Sequence, residues 1–167
     1  MKKISKLTTL LSVFFIVACA ATDVTMLKKD IDRYADLEKE LNVRIKSINE
    51  EMVTSIAKYK NSNDIVEFDK DNKAIEEEMK KLLILAKEAQ VYLTTKEVKK
   101  YHEYTIQLIE IQAEYVQESI RQFKNLGELD RANDATLTRI KYGRKIRKVQ
   151  NKQNKLLKEI LNETKTR

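Results

Sequence analysis

The sequence predicts an all-α protein, a long antiparallel helical hairpin of coiled-coil character followed by a third, basic C-terminal helix. Three observations predict it. The chain has no proline and only two glycines, Gly127 and Gly143, so it lacks the punctuation that a sheet with many turns requires. Charged residues make up 35% and aromatics 7%, which leaves enough apolar side chains for narrow stripes and too few for a thick core. Those apolar residues recur in steps of three and four, the period of one helix face.

The first twenty residues read as an export leader. Lys2, Lys3 and Lys6 precede an apolar run from Leu7 to Ala18. At about twelve residues the run is shorter than the roughly 20 that span a bilayer as a helix. Two processing sites fit. Ile16-Val17-Ala18-Cys19 has the form of a lipobox, which makes Cys19 an acylated N-terminus. Ala18-Cys19-Ala20 has the small-x-small form of an ordinary signal-peptidase site, which starts the mature chain at Ala21. Either way the mature chain has no pair of cysteines for a disulfide.

The next segment carries a heptad-like seam: Leu27, Ile31, Tyr34, Leu37, Leu41, Ile45, Ile48, Met52, Ile56 and Tyr59. Asn61-Ser62-Asn63-Asp64 interrupts it with four poor helix formers. A second seam, Phe68, Asn72, Ile75, Met79, Leu82, Ala86, Ala89 and Leu93, resumes about one residue out of phase, as at a stutter. The spacing predicts one helix over residues 26–92, roughly 100 Å long, with a weak point near 61–67. Thr94 and Glu97 have the spacing of a capping box, which places the hairpin turn at 94–97. A further seam follows through Val98, Tyr101, Thr105, Leu108, Gln112, Tyr115, Ser119, Phe123 and Leu126, broadened by Ile111, Val116 and Ile120. Gly127 is the expected helix stop. Residues 128–134 are expected to be a connector, and Leu137, Ile140, Ile146, Val149, Leu156, Ile160 and Leu161 mark the last helix. The chain thus divides into a leader (1–20), a helical hairpin (21–127) and a basic helix or tail (128–167).

Charge follows the same division. Residues 139–167 hold eleven Lys/Arg against two Glu, and the first 18 hold three Lys; from a total of +7, the remainder is left at −5. Between Arg139 and Lys158 there are nine cations and no acid. Like charges at i,i+3 and i,i+4 repel, and an anionic partner relieves that repulsion. Arg139, Lys141, Arg144, Lys145, Arg147 and Lys148 are therefore the candidate polyanion-binding residues. For an exported chain the partner is an anionic glycan or lipid rather than intracellular nucleic acid. The other open reading docks the basic tail on the acidic body.

Catalytic and metal chemistry find little to stand on. His102, the only histidine, is expected on a helix surface, with no second histidine or cysteine to complete a ligand or nucleophile set. Asp69-x-Asp71 begins like a calcium loop, but Lys73, Ala74 and Lys80 stand where its later ligands and glycine belong. Glu76-Glu77-Glu78 ahead of Lys80-Lys81 reads as a solvated face with helical ion pairs. No catalytic residue, cofactor or metal is assigned. Tyr92, Tyr101, Tyr104 and Tyr115 concentrate near the expected turn and second arm; exposure of Tyr92 and Tyr104 at the tip is the condition for an adhesive patch.

With these residues in view, the sequence resembles the FadA-type adhesins of the bacterial envelope over residues 18–126. The likeness lies in Ala18-Cys19-Ala20-Ala21-Thr22-Asp23 at the processing site, Leu27, Ile31 and Tyr34 in the first seam, Asn49-Glu50-Glu51, and the second arm from Lys100-Tyr101 to Phe123. The family normally has a different residue where Cys19 stands, and its end-to-end association uses leucines where this chain has Tyr34. The resemblance implies an exported helical hairpin that self-associates and attaches cells to a host-cell surface protein, glycan or lipid. On this reading Leu27, Ile31, Tyr34, Leu41, Ile45 and Ile48 form the self-association seam, and Cys19, if acylated, adds a membrane anchor. The expected location is the outer membrane or cell surface. The alternative is a periplasmic structural lipoprotein or coiled-coil envelope chaperone.

Overall fold

The computed structural model describes residues 21–125 and 128–166, without the side chains of 21–25, Lys28, 128–132 and 163–166. The export segment, Cys19, Leu126 and Gly127 lie outside the described residues. Those described are all-α: α1 (Ala21–Ser62), α2 (Ile65–Ala89), α3 (Lys96–Asn125) and α4 (Glu128–Thr166), with a 3₁₀ turn at Gln90–Tyr92. The helices pack side by side in a bundle.

The expectation of a single helix over 26–92 is corrected at its own weak point. α1 stops at Ser62 because Asn63 turns left-handed, at φ 56°, a conformation that Asn accepts more readily than most residues. Asp64 Oδ1 then accepts from the Val66 and Glu67 amides at 3.0 Å, supplying a side-chain cap for α2. Tyr59 stacks on Phe68 at 4.6 Å across the reversal, and Lys58 reaches Asp71 at 3.3 Å. The seam read as one line is therefore folded in two, and α2 returns antiparallel along α1.

α3 runs back antiparallel to α2 and parallel to α1. Lys124–Asp69 (2.8 Å) and Lys87–Glu110 (3.1 Å) mark the first relation, and Gln112–Asn49 (2.7 Å) the second. The second reversal falls where the sequence placed it, but its cap differs. Thr94 does not cap α3 through a capping box; its hydroxyl donates to Asp30 of α1, as do the Thr95 hydroxyl and both backbone amides, at 2.6–3.1 Å.

α4 begins at Glu128, so the connector expected at 128–134 is helical. It descends along α3: Gln122 meets Thr138 (2.5 Å), Tyr115 meets Tyr142 edge-on (5.7 Å), and Gln153 meets Thr105 (3.0 Å). Its buried stripe is Thr138, Tyr142, Val149, Gln153, Leu156 and Ile160. Leu137 and Ile140, expected in that stripe, are 62% and 44% exposed. The seam rule counted aliphatic residues only, while the packing uses threonine, tyrosine and glutamine at the same phase.

The main core gathers Leu41, Ile48, Met52, Phe68, Ile75, Met79, Leu82, Ile109 and Val116 from α1, α2 and α3. A second cluster, Tyr34, Leu93, Val98, Tyr101, Leu156 and Ile160, closes the end of the bundle near the start of α3. Burying each such aliphatic side chain contributes about 1.5–3 kcal/mol, which outweighs the repulsion among cations on α4.

Candidate functional site: the outer face of α4

α4 is held by its polar and apolar stripe, so its opposite side is left to solvent. At roughly 100° per residue, Lys141, Arg144, Lys145, Arg147 and Lys148 fall in the sector away from Tyr142 and Val149, and Arg139 flanks the stripe. All six are exposed. Lys145 bonds Glu114 of α3 at 2.6 Å, which holds its ammonium above the usual lysine range. Arg139, Lys141, Arg144, Arg147, Lys148 and Lys152 have no carboxylate within 4 Å among the described residues. Lys141 and Lys145 both lie over the Tyr142 ring, at 5.1 and 4.9 Å from its centre, so one aromatic face steadies two like charges. Tyr142 was not singled out from the sequence; its position one residue after Lys141 and three before Lys145 is the signal that could have found it.

The resulting arrangement is a row of cations on a rigid rod, with Leu137 and Ile140 exposed at its upper end. It can bind extended anions; it has no enclosed space in which to hold a small substrate. Docking of the tail and exposure of its cations, written above as alternatives, coexist: contact with α3 is chiefly apolar and hydrogen-bonded, with Lys145–Glu114 as its cross-helix ion pair.

The first-seam residues are placed differently. Tyr34, Leu41 and Ile48 are buried against this chain's own α2, α3 and α4, and Leu27, Ile31 and Ile45 pack half-buried beside them. That stripe builds the interior of one chain and offers no continuous face for another copy.

His102 is a correction. Instead of lying on the surface it is fully buried, with Nε2 2.6 Å from the Ala86 carbonyl and its ring edge-on to Tyr34 at 5.5 Å. A carbonyl only accepts, so Nε2 carries the proton. Burial lowers the pKa of the ring and keeps it neutral. The Tyr34 hydroxyl meets Thr105 Oγ1 at 2.5 Å, and burial raises its pKa well above the ordinary phenol value. Near it, Glu38 is half-buried and pushed up to about 7 by burial. Asp30 behaves oppositely: burial pulls upward, but hydrogen bonds from Thr95 and Thr94 prevail and hold its pKa below the ordinary value.

Of the four tyrosines singled out, Tyr92 is 71% exposed beside Val91 at the second reversal, whereas Tyr101 is buried and Tyr104 and Tyr115 are half-buried. The adhesive-patch condition is met by Tyr92 alone. Asp69 and Asp71 are engaged by Lys124 and Lys58. Among the described residues no group of three or more His, Cys, Asp or Glu side chains converges, and no helix is long and apolar enough to cross a membrane.

The fold and this face define an all-α helical bundle with an exposed cationic rod. Comparison of the chain with protein-family models, curated proteins and solved structures finds no match.

Proposed function

We propose that the chain is an exported, adhesin-like protein of the bacterial envelope that binds an anionic glycan or lipid on a host or envelope surface through the outer face of α4. The observation that carries this reading is the row Lys141, Arg144, Arg147, Lys148 and Lys152, exposed and without carboxylate partners among the described residues. A rod that serves only as a spacer gains nothing from concentrated like charge, which costs a few tenths of a kcal/mol for each i,i+4 pair. An anionic polymer or lipid surface recovers that cost on binding. The leader-like first twenty residues and the resemblance to FadA-type adhesins support export and self-association.

Two measurements test it. The triple variant Arg144→Glu, Arg147→Glu, Lys148→Glu should lose binding to heparin and to vesicles containing phosphatidylglycerol, and wild-type binding should fall with added salt. Unchanged binding by the variant removes α4 as the contact face. Protease added to intact cells should cleave the protein; protection there points instead to a periplasmic structural lipoprotein or chaperone.

A further inference from the structure

A crevice of about 330 Å³ lies between α1 and α2, and no residue of α3 or α4 lines it. Its chemistry is the reverse of the α4 face. Glu50, Glu51 and Asp71 stand on its rim against a single cation, Lys58, already engaged with Asp71 at 3.3 Å and Glu67 at 3.8 Å. Glu50 has a weak partner in Lys46 at 3.7 Å, and Glu51 accepts only from Ser47 Oγ. Ser55, 2% exposed, lines the crevice, and its Oγ has no hydrogen-bond partner among the described residues. In the register set by the Tyr59–Phe68 stack, Asn72 stands opposite Ser55 on α2; it is buried, and both its side-chain polar atoms are also without a partner. A buried polar atom left unbonded costs about 1–3 kcal/mol, so a donor entering beside Ser55 would recover part of that cost.

We infer that this crevice receives the cationic outer face of α4 from a second copy of the chain. The occupant follows from charge complementarity. The crevice needs N–H donors carrying positive charge on a straight element, and α4 presents Arg144, Arg147 and Lys148 at helical spacing with no carboxylate within 4 Å among the described residues. A guanidinium can bond Glu51 and reach toward Ser55 Oγ together. Crevice and rod are different surfaces of one molecule, so the contact is heterologous and propagates head to tail. A polyanion bound to α4 occupies the same cations as the next copy. That competition, though not the docking, rests on the proposed polyanion binding.

Sedimentation velocity of the full mature chain tests the inference. Wild type should associate at low salt and dissociate as salt is raised. Glu50→Lys/Glu51→Lys and, separately, Arg147→Glu/Lys148→Glu should each weaken association by about tenfold or more, with helical circular dichroism unchanged because all four side chains are exposed. Mixing the two variants restores opposite charges across the contact and should restore association. A wild type that stays monomeric at low salt, or a mixture that stays dissociated, overturns the inference. The crevice variant separates the two readings, since it keeps α4 intact. If it still binds heparin while failing to associate, both stand. If association follows the charge swap but heparin is not bound, the polyanion reading alone falls.

Discussion

The two reversals that fold the first three helices into a bundle are built in contrasting ways. At Asn63-Asp64 all the parts are local: a left-handed Asn, an Asp capping the helix that follows it, and a Tyr–Phe stack nine residues apart. At 93–95 the decisive part comes from far away. The carboxylate of Asp30, buried to 1% exposure, gathers both amides and both hydroxyls of Thr94 and Thr95, more than sixty residues along the chain. A local turn can form before the rest of the molecule, whereas the second is completed only when α1 and α3 lie side by side. The same contrast extends inward, because Glu38, Tyr34, His102, Thr105 and Gln153 make the end near Asp30 polar inside, while the other end is closed by Tyr59, Phe68 and Phe123.

The largest expected effect that sharpens this contrast is at Asp30. Asp30→Ala leaves the Thr94 and Thr95 donors buried and unpaired and removes a negative charge from the start of α3; unfolding in denaturant should show a loss of about 2–4 kcal/mol. Because the folded-state pKa of Asp30 lies below its ordinary 3.8, its contribution is present above that pH and is lost as pH falls through the lower folded value. A loss no larger than that at an exposed cap would show that the distant carboxylate is not what holds the turn.

Glu38 comes next, with the opposite sign. Its folded-state pKa is raised from 4.5 to about 7, so the folded chain takes up a proton and stability falls as pH rises between those values. Glu38→Gln should therefore be nearly neutral below pH 4.5 and stabilising by roughly 2 kcal/mol above pH 7. Paired urea titrations at the two pH values measure it, and equal effects at both would remove the buried-acid account.

The local turn should yield smaller numbers. Asp64→Ala should cost about 1 kcal/mol, the usual worth of an N-cap. Asn63→Gly should gain at most a few tenths, since glycine enters the left-handed region without strain but loses more freedom on folding. Thermal unfolding followed by circular dichroism resolves the first. If either change opened α1 and α2 into one continuous helix, scattering would report a longer particle.

These differences also explain what the sequence made legible. Periodicity located the buried stripes of α1 and α2 well, as Leu41, Ile48, Phe68, Ile75 and Leu82 attest, because aliphatic spacing is a local property of a helix. The four poor helix formers at 61–64 were legible as a break. Their consequence, a full reversal, was not, because it depends on whether two stripes prefer each other's company to a straight path. His102 and Asp30 were misjudged or missed because a titratable side chain is written as a surface residue until its tertiary partners are known. On α4 the cations were legible from composition, and their exposure followed once Thr138, Tyr142 and Gln153 proved to be the inward residues.

The Asp30 clamp has a mechanical consequence. α1 and α3 run parallel, so a pull on the start of α1 along its axis loads the Thr94 and Thr95 bonds together, in shear. The Asn63 end has no such crosslink and would peel one contact at a time. A chain held by its beginning against flow would thus meet the drag first at the joint best arranged to resist it.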